Sequence, residues 1–397
     1  MAKKLKTIVG LDGGNNSIKL VLADSVAVNY ENIYCELNEE SLEKDWKRNQ
    51  NRKANKHNIA TMLDVKVTSG KDKKINKFIF GKKAERYRPT VVERVNDYKS
   101  NDEQLVYNSI VALANTVISK LDSDKWEDEI ELDVDLCTGL PFHEYETKDK
   151  KEKYLNMFLG NHVIEFLNPA YPVKKMKVNV KNVELEIEGL AALRQTLFDD
   201  GVMEKDNILN KVVAMIDIGC FTTDIVGGIF LDDIDDDGES YTTFETQTDL
   251  CTGIVRGVGT AMDKTRVKML NTYSSELGQY DTFSRQEIVR AASNENGEGK
   301  IEGTDFSIEP FFTEECNDLG GFIGKKFTQL YNESGYKTKI CKIYLAGGGS
   351  YNTKIMDSFM STLEKEGFDK NLVKIVTDPV YANSRGYFNI ADCTYGN

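Results

Sequence analysis

Two aspartates, each placed between an apolar run and a turn of small residues, have the clearest chemical potential in this sequence. Asp12 follows the run Thr7–Leu11 and precedes Gly13-Gly14-Asn15-Asn16-Ser17. Asp217 follows the run Val212–Ile216 and precedes a similar turn. Glycine-rich turns allow backbone N–H groups to converge on phosphates, and a carboxylate beside them can hold Mg²⁺ through its waters. The pattern therefore indicates the chemistry of a phosphorylated ligand.

Two further features favour the same chemistry. Lys19 lies seven residues after Asp12 on the returning run, where an ammonium group can neutralise phosphate oxygens. A third turn, Gly347-Gly348-Gly349, follows an apolar run and precedes helical spacing over Tyr351–Glu366, so a base or ribose can lie against its backbone. For either hairpin alone an alternative stays open, in which Asp12 and Asp217 merely cap hairpins and Lys19 is solvated.

The elements that must position these residues alternate between strands and helices. The runs around Asp12 and Asp217 each predict a β-hairpin, because Gly and Asn tolerate positive φ in tight turns. Their similarity suggests an internal duplication that faces one cleft. Helices are predicted at 101–120, 189–198, 258–270 and 321–331, and strands at 132–137 and 174–180. This alternation is typical of an α/β fold.

Composition and charge exclude several classes of protein. The chain has 397 residues, of which 40% are hydrophobic, which suits two domains or two halves of one. No apolar run approaches the roughly 20 residues of a membrane helix, so no membrane partner and a cytoplasmic location are expected. The net charge of −13 opposes direct binding to nucleic acid, so any DNA link should run through a partner. Scattered cysteines and histidines give no support for a zinc, redox or histidine site.

Several local patterns are weak candidates for functional sites. No GxxxxGK[ST] loop is present, and no GxGxxG follows the first strand. Asp233–Gly238 imitates half of an EF-hand loop, but Phe244 stands where a glutamate is needed, so a solvated hairpin turn is expected. The basic segment 44–74 is either a solvated face or a binding patch. Three glycines between 253 and 259 either approach the ligand or simply open the next helix.

The three turns, in this order and with these residues, resemble the two phosphate motifs and the adenosine motif of the actin, Hsp70 and sugar-kinase superfamily. Leu11–Leu20 and Ile216–Ile225 are most similar to the ParM and StbA type of bacterial plasmid-segregation actins. Cys137–Pro141 resembles the strand of that subgroup that ends in Gly-Leu-Pro, and Ala382–Gly386 resembles the start of its last helix. Residues 30–130 have no part in the resemblance.

The resemblance implies a role for each residue that matches a motif. Asp12 and Asp217 are expected to act in catalysis by organising Mg²⁺ through water, and Lys19 is expected to touch the phosphates of ATP or GTP. The other expected nucleotide-binding residues are Gly13, Gly14, Asn15, Asn16, Ser17, Gly219, Cys220, Phe221, Thr222, Thr223, Gly347, Gly348 and Gly349.

The family also has a glutamate at a helix start that positions the attacking water. Glu188 is similar to it and is the expected third catalytic residue, since a carboxylate there can orient a water in line with the γ-phosphate. Ile187 stands where the family has proline. The assignment over Glu184 or Glu186 therefore stays open, as does a role for Glu188 as a surface cap.

The resemblance implies an actin, Hsp70 and sugar-kinase type (RNase H-like) α/β fold with a nucleotide cleft between two domains. Domain I is expected at 1–196 plus 381–397, and domain II at 197–380. Loss of the γ-phosphate would allow the domains to rotate, and a head-to-tail contact that does not close makes a filament. The expected protein is a nucleotide-driven, filament-forming hydrolase that polymerises with ATP or GTP and Mg²⁺ and disassembles after hydrolysis. It would segregate plasmid DNA in the bacterial cytoplasm through a ParR-like adaptor on a centromere-like site.

Two other functions of the same superfamily stay open. One is a monomeric chaperone-like or regulatory ATPase, although an Hsp70 would need a substrate domain and the sequence ends at Asn397. The other is a small-molecule kinase, which needs an aspartate that acts on a substrate hydroxyl, with Asp224 as the candidate. The choice between ATP and GTP, the filament geometry and the adaptor surface have no local motif.

Overall fold

The computed structural model describes residues 3–23, 26–49, 53–69, 73–87, 91–93, 98–201, 208–234, 240–277, 283–292 and 299–396. They belong to two compact units. The first unit is Met1–Leu140, Glu144–Ile187 and Asn383–Asn397, and the second is Pro141–His143 and Glu188–Ala382. This division of the chain does not test the domain bounds expected from the sequence, which stay a prediction.

Strands and helices alternate along the described residues. The strands are β1 Lys3–Gly13, β2 Ser17–Leu22, β3 Ala27–Glu31, β4 Ile33–Glu36, β5 Asp64–Ser69, β6 Lys74–Phe80, β7 Val91–Glu93, β8 Glu129–Leu140, β9 Gly160–Phe166, β10 Lys175–Ile187, β11 Val212–Ile218, β12 Thr223–Ile234, β13 Ser240–Thr246, β14 Thr252–Ile254, β15 Ile340–Ala346 and β16 Val373–Ile375. The helices are α1 Glu39–Asn49, α2 Glu103–Lys120, α3 Phe142–Tyr145, α4 Lys148–Phe158, α5 Leu190–Asp199, α6 Val258–Thr272, α7 Arg285–Ala292, α8 Glu309–Glu333, α9 Thr353–Lys365 and α10 Ala382–Tyr395.

The first unit is built on a ten-stranded sheet in the order β3-β2-β1-β8-β10-β9-β5-β6-β4-β7. At its centre β1, β8 and β10 run parallel, and β2 returns antiparallel to β1. The helix α2 is buried on all sides from Leu105 to Ile118, which explains its apolar character around the whole circumference. Its start is capped by the Asp102 carboxylate, which accepts the Leu105 N–H at 2.9 Å.

The second unit repeats the central arrangement on a smaller sheet in the order β13-β12-β11-β15-β16. The strand β11 has β12 as its antiparallel hairpin partner and β15 as its parallel neighbour, just as β1 has β2 and β8. Every residue of β11 is buried, as expected for a strand covered on both faces. Both predicted hairpins are therefore confirmed, and in each sheet the hairpin occupies the second and third strands of the order.

One predicted helix is much longer than the sequence pattern indicated. The prediction began at residue 321, but α8 begins at Glu309. Gly320 and Gly321 lower helix propensity and so concealed the first turns. The structure gives the reason for Gly320: a Cβ there would clash with the carbonyl of Ile355, so glycine allows α9 to pack closely on α8.

The stretch without a resemblance, residues 30–130, adds strands β4–β7 and a buried charge cluster to the first unit. Asp64 is fully buried and accepts from Lys83 Nζ at 2.6 Å and from Trp46 Nε1 at 2.8 Å. Burial raises the pKa of the Asp64 carboxyl, against the opposing charge of Lys83. Because Trp46 lies on α1, these bonds attach part of the basic segment 44–74 to the sheet.

Two further expectations concern the ends of elements. The segment Ala382–Gly386 begins α10, as predicted, and α10 from Asn383 onward belongs to the first unit. The strands β12 and β13 pair antiparallel from Gly228 to Ile234. The rest of the EF-hand-like stretch, 235–238, lies outside the described residues.

Candidate functional site

The two aspartate-bearing turns have the same geometry. In the first turn, defined as residues 13–17, the Gly14 N–H donates to the Ser17 carbonyl at 3.0 Å. In the second turn, residues 218–222, the Gly219 N–H donates to the Thr222 carbonyl at 2.9 Å. Both hairpins have the same register, since Asp12 pairs with Lys19 across the first and Asp217 pairs with Asp224 across the second. This equivalence supports the internal duplication inferred from the sequence.

The equivalent pairs differ in charge. Lys19 Nζ lies 2.9 Å from Asp12 Oδ2, so the carboxylate of the first hairpin is neutralised directly. Across the second hairpin stand two buried carboxylates, Asp217 at 7% and Asp224 at 1% exposure. Like charges directly opposite in a sheet are unfavourable unless other groups compensate. A cation at the second hairpin would therefore reduce the repulsion between these two carboxylates.

Asp224 is held by the backbone of its own unit. Its Oδ1 accepts the Phe142 N–H at 2.9 Å, directly after the Leu140–Pro141 turn. A carboxylate that accepts a buried backbone N–H is a structural anchor. This contact disfavours Asp224 as the base that a small-molecule kinase would need.

The start of α6 packs against the second turn. Val258 N–H donates to the Gly219 carbonyl at 3.1 Å, and Gly259 N–H donates to the Cys220 carbonyl at 2.6 Å. A Cβ on Gly257 would lie 2.5 Å from the Gly219 oxygen, so only glycine allows this approach. Gly257 directly precedes α6, as in the alternative in which these glycines open the next helix, and Gly257 and Gly259 also pack against the second turn.

Two predicted residues of the second hairpin point their side chains into the unit. Phe221 is 4% exposed, and the Arg285 guanidinium lies 4.6 Å above its ring. Thr223 is fully buried, and its hydroxyl donates to the Arg256 carbonyl at 2.9 Å. If Phe221 and Thr223 bind nucleotide, they do so through their backbone N–H groups, because their side chains are buried.

The third turn, residues 347–349, lies against Asp217. Gly347 has φ +77° and a Cβ there would clash with Asp217 Oδ1, while a Cβ on Gly349 would clash with Ile218. Gly348 is exposed and has nothing within 4 Å of its Cβ position. The helix predicted from Tyr351 begins two residues later, at Thr353, because a 3-10 turn at Gly348–Tyr351 precedes it.

This difference between neighbouring glycines gives a direct test of the third turn. Gly348→Ala should leave the thermal unfolding midpoint of the nucleotide-free protein unchanged, because the site is open, but should weaken nucleotide binding about tenfold if a base or ribose lies on this backbone. Gly349→Ala should lower the unfolding midpoint, because the added methyl overpacks Ile218. Both are measured by thermal unfolding and by titration with a fluorescent nucleotide. Full affinity in Gly348→Ala would remove this turn from the site.

Glu188 is not a surface cap, since it is 6% exposed. It directly precedes Gly189, which has φ +83° and is the N-cap of α5. A Cβ added to Gly189 would lie 3.5 Å from Asp217 Cβ. The alternatives have other partners in the first unit: Glu184 accepts from the Tyr395 hydroxyl at 2.7 Å, and Glu186 accepts the Ile187 N–H at 2.8 Å. Of the three glutamates, Glu188 is the one that directly precedes Gly189, the residue packed against Asp217.

The donor set fits a magnesium ion that keeps most of its waters. Mg²⁺ binds through one or two carboxylates plus substrate phosphates, and rarely through an all-protein cage. Within the described ranges no group of three or more metal-ligating side chains occurs, but Asp217 and Asp224 pair across the second hairpin. Asp217 would hold such an ion, and the ion would neutralise phosphate charge.

The sequence reasoning missed Asn32, a fully buried residue behind the first turn. Its side-chain amide donates to the Gly14 carbonyl at 2.8 Å, and its N–H donates to the Asn16 carbonyl at 3.0 Å. No motif marks this residue, because it is an isolated asparagine between β3 and β4. Only the fold brings it to the turn.

Comparison with known proteins identifies the class of this fold. Residues 10–190 match the family model of the actin like proteins N terminal domain. The structures that resemble the whole chain include a 15-stranded ParM filament from Clostridium botulinum, with TM-score 0.67, 18% identity, and coverage of 99% of this chain and 100% of that chain. The actin-like protein Alp7A gives TM-score 0.67, 16% identity, and coverage of 98% and 97%. Bacillus thuringiensis ParM with ATP gives TM-score 0.60, 14% identity, and coverage of 99% and 100%.

These matches confirm the two-domain α/β fold of the actin type that the three turns predicted. Residues 10–190 are similar to the actin-like N-terminal domain, and the fold of the chain is similar to that of ParM-type proteins. No curated protein matches the sequence. Among the described helices, none is long and apolar enough to span a membrane.

Proposed function

We propose that this chain binds ATP or GTP with Mg²⁺, hydrolyses it, and assembles into filaments that disassemble after hydrolysis. The observation that carries the proposal is the shared register of the two turns, each with an aspartate opposite a returning strand and a glycine N–H that closes the turn. Such turns present backbone N–H groups to phosphates. The third turn against Asp217 adds a surface for the nucleoside.

The catalytic assignment follows from the surroundings of two carboxylates. Asp217 would hold Mg²⁺ beside the phosphates, and Glu188 would orient the attacking water. Lys19 would exchange its bond with Asp12 for one with a phosphate oxygen, since an ammonium can serve either partner. Each of these roles is separately testable by substitution.

Assembly and DNA segregation rest on the fold comparison and on charge. One similar structure is a ParM filament, and ParM-type proteins have this fold. The net charge of −13 opposes direct DNA binding, so we propose that a ParR-like adaptor on a centromere-like site connects the filament to plasmid DNA. We place the protein in the bacterial cytoplasm.

The proposal predicts the time course of one experiment. Light scattering of the purified protein should rise after ATP or GTP is added with Mg²⁺ and should decay as phosphate is released in the same sample. Asp217→Asn serves as the control that cannot complete hydrolysis. Phosphate release without scattering, at every protein concentration and with both nucleotides, would overturn the filament and favour the chaperone-like or kinase alternatives.

Segregation is tested apart from assembly. A plasmid maintained by the native locus should be lost over generations when the wild-type gene is replaced by the Asp217→Asn variant. Equal retention with both alleles would leave the ATPase proposal intact and would remove plasmid segregation from it.

A further inference from the structure

The first turn is held from behind by one asparagine. Asn32 donates through its side chain to the Gly14 carbonyl at 2.8 Å and through its backbone to the Asn16 carbonyl at 3.0 Å. The residue is fully buried, so both bonds are shielded from water. Two of the carbonyls in the turn are therefore fixed on the same side.

Fixing these carbonyls also fixes the N–H groups that follow them. In a planar trans peptide, the C=O of one residue and the N–H of the next point in opposite directions. With the Gly14 and Asn16 carbonyls directed at Asn32, the N–H groups of Asn15 and Ser17 are directed to the other side of the turn. That is the orientation in which backbone N–H groups can converge on an anion.

Asn32 is itself oriented by a line of side-chain amides, of which Asn108 is fully buried and Gln104 and Asn76 are partly exposed. Asn108 Nδ2 donates to Asn32 Oδ1 at 2.8 Å, and Gln104 Nε2 donates to Asn108 Oδ1 at 2.8 Å. Asn76 Nδ2 donates to Gln104 Oε1 at 2.5 Å and ends the line on β6. A carbonyl can only accept, so the Gly14 oxygen dictates which way each amide in the line must face.

The second turn is oriented differently. The Gly219 and Cys220 carbonyls accept from the backbone N–H groups of Val258 and Gly259 at the start of α6. The donors to these two carbonyls are backbone groups. In the first turn, by contrast, the donor to the Gly14 carbonyl is the side chain of Asn32, which Asn108 orients in turn. The first turn is therefore the one whose geometry a side-chain substitution at a distance can change.

We propose that Asn32 and Asn108 are positioning residues for nucleotide binding, and that they act by aiming the N–H groups of the first turn. This inference rests on the proposed nucleotide site. An acceptor-only side chain at 108 would reverse the Asn32 amide, which would then present its oxygen to the Gly14 carbonyl and release the turn.

The test compares two substitutions on the same helix. Asn108→Asp should raise the nucleotide dissociation constant roughly tenfold, because one buried hydrogen bond to the turn is replaced by repulsion. Asn115→Asp is the matched control: Asn115 is also buried in α2, but its amide bonds to the hydroxyl groups of Tyr30 and Tyr171 and not to the line that ends on the Gly14 carbonyl. We expect its dissociation constant to stay within about twofold of the wild type.

Affinity is measured with a fluorescent ATP analogue, and thermal unfolding without nucleotide records the loss of stability in both variants. If both variants weaken binding equally, or if folded Asn108→Asp binds like the wild type, the inference is wrong. Gln104→Glu covers the case in which Asn108→Asp does not fold. The partly exposed Gln104 lies in the first turn of α2, where an acid is tolerated, yet a carboxylate there reverses the same line of amides.

Hydrogen exchange separates this inference from the proposed function. In nucleotide-free protein, the variants at 108 and 104 should accelerate exchange at the amides of Gly14 and Asn32, both hydrogen-bonded across the turn. The amide of Gly219 in the second turn should be unaffected. If the wild type binds no nucleotide but these amides respond, the proposed function is wrong, and only the orientation of the first turn by Asn32 and Asn108 stands. Unchanged exchange would overturn the role itself.

Discussion

Asp217→Asn is expected to give a folded protein that hydrolyses nucleotide at least about 100-fold more slowly than the wild type. Asp217 is buried at the end of β11, lies against Gly347, and faces Asp224 across the hairpin. Asparagine has the same size, so no cavity forms. It removes one of two adjacent negative charges, so the unfolding midpoint should stay equal or rise. Phosphate release and thermal unfolding are measured on the same preparation.

The control for this result is Asp224→Asn. It removes the same charge one strand away but keeps an oxygen that can accept the Phe142 N–H. We expect most of the turnover to remain. If Asp224→Asn abolishes turnover and Asp217→Asn does not, the catalytic carboxylate has been assigned to the wrong strand, and the kinase alternative gains support.

Mg²⁺ dependence provides a second readout for the same residue. In the wild type, nucleotide should raise the unfolding midpoint more strongly with Mg²⁺ than without it, because binding to the native state stabilises it by mass action. Asp217→Asn should lose that difference. A full Mg²⁺ effect in the variant would place the ion elsewhere.

Glu188→Gln is expected to slow hydrolysis about 100-fold and to leave nucleotide affinity unchanged. Glutamine keeps the size of the side chain and its ability to accept a hydrogen bond, but it cannot take up a proton or orient water as a carboxylate does. If filaments form, those of the variant should persist longer, because disassembly waits for hydrolysis. Phosphate release, nucleotide titration and light scattering measure the three effects.

The two neighbouring glutamates of β10 are the controls. Glu186→Gln and Glu184→Gln keep an oxygen for the Ile187 N–H and the Tyr395 hydroxyl. Both should turn over nucleotide at close to the wild-type rate. Loss of activity in Glu186→Gln with normal activity in Glu188→Gln would transfer the role, whereas loss of nucleotide binding in Glu188→Gln would make Glu188 structural.

A few local sequence patterns were enough to predict the fold. Hairpins around Asp12 and Asp217 and the glycine run at Gly347 were recognisable because tight turns need particular residue types. Their order along the chain indicated an actin-like fold, and the fold comparison confirmed it. Within residues 30–130 the helix at 101–120 was predicted, but strands β4–β7 were not, because they are short and their stability depends on distant partners, such as Asp64 with Lys83 and Trp46.

The sequence alone determined which residues have the chemistry for a nucleotide site, because residue type and spacing within a turn are local properties. Tertiary structure decided their partners: Lys19 is paired with Asp12, Asp224 accepts the Phe142 N–H, and Gly189, which follows Glu188, packs against Asp217. It also places Asn32 against the Gly14 carbonyl and Asn108 against Asn32, although neither residue belongs to a motif. Buried polar groups must find hydrogen-bond partners wherever the fold supplies them, and separation along the chain does not reveal those partners.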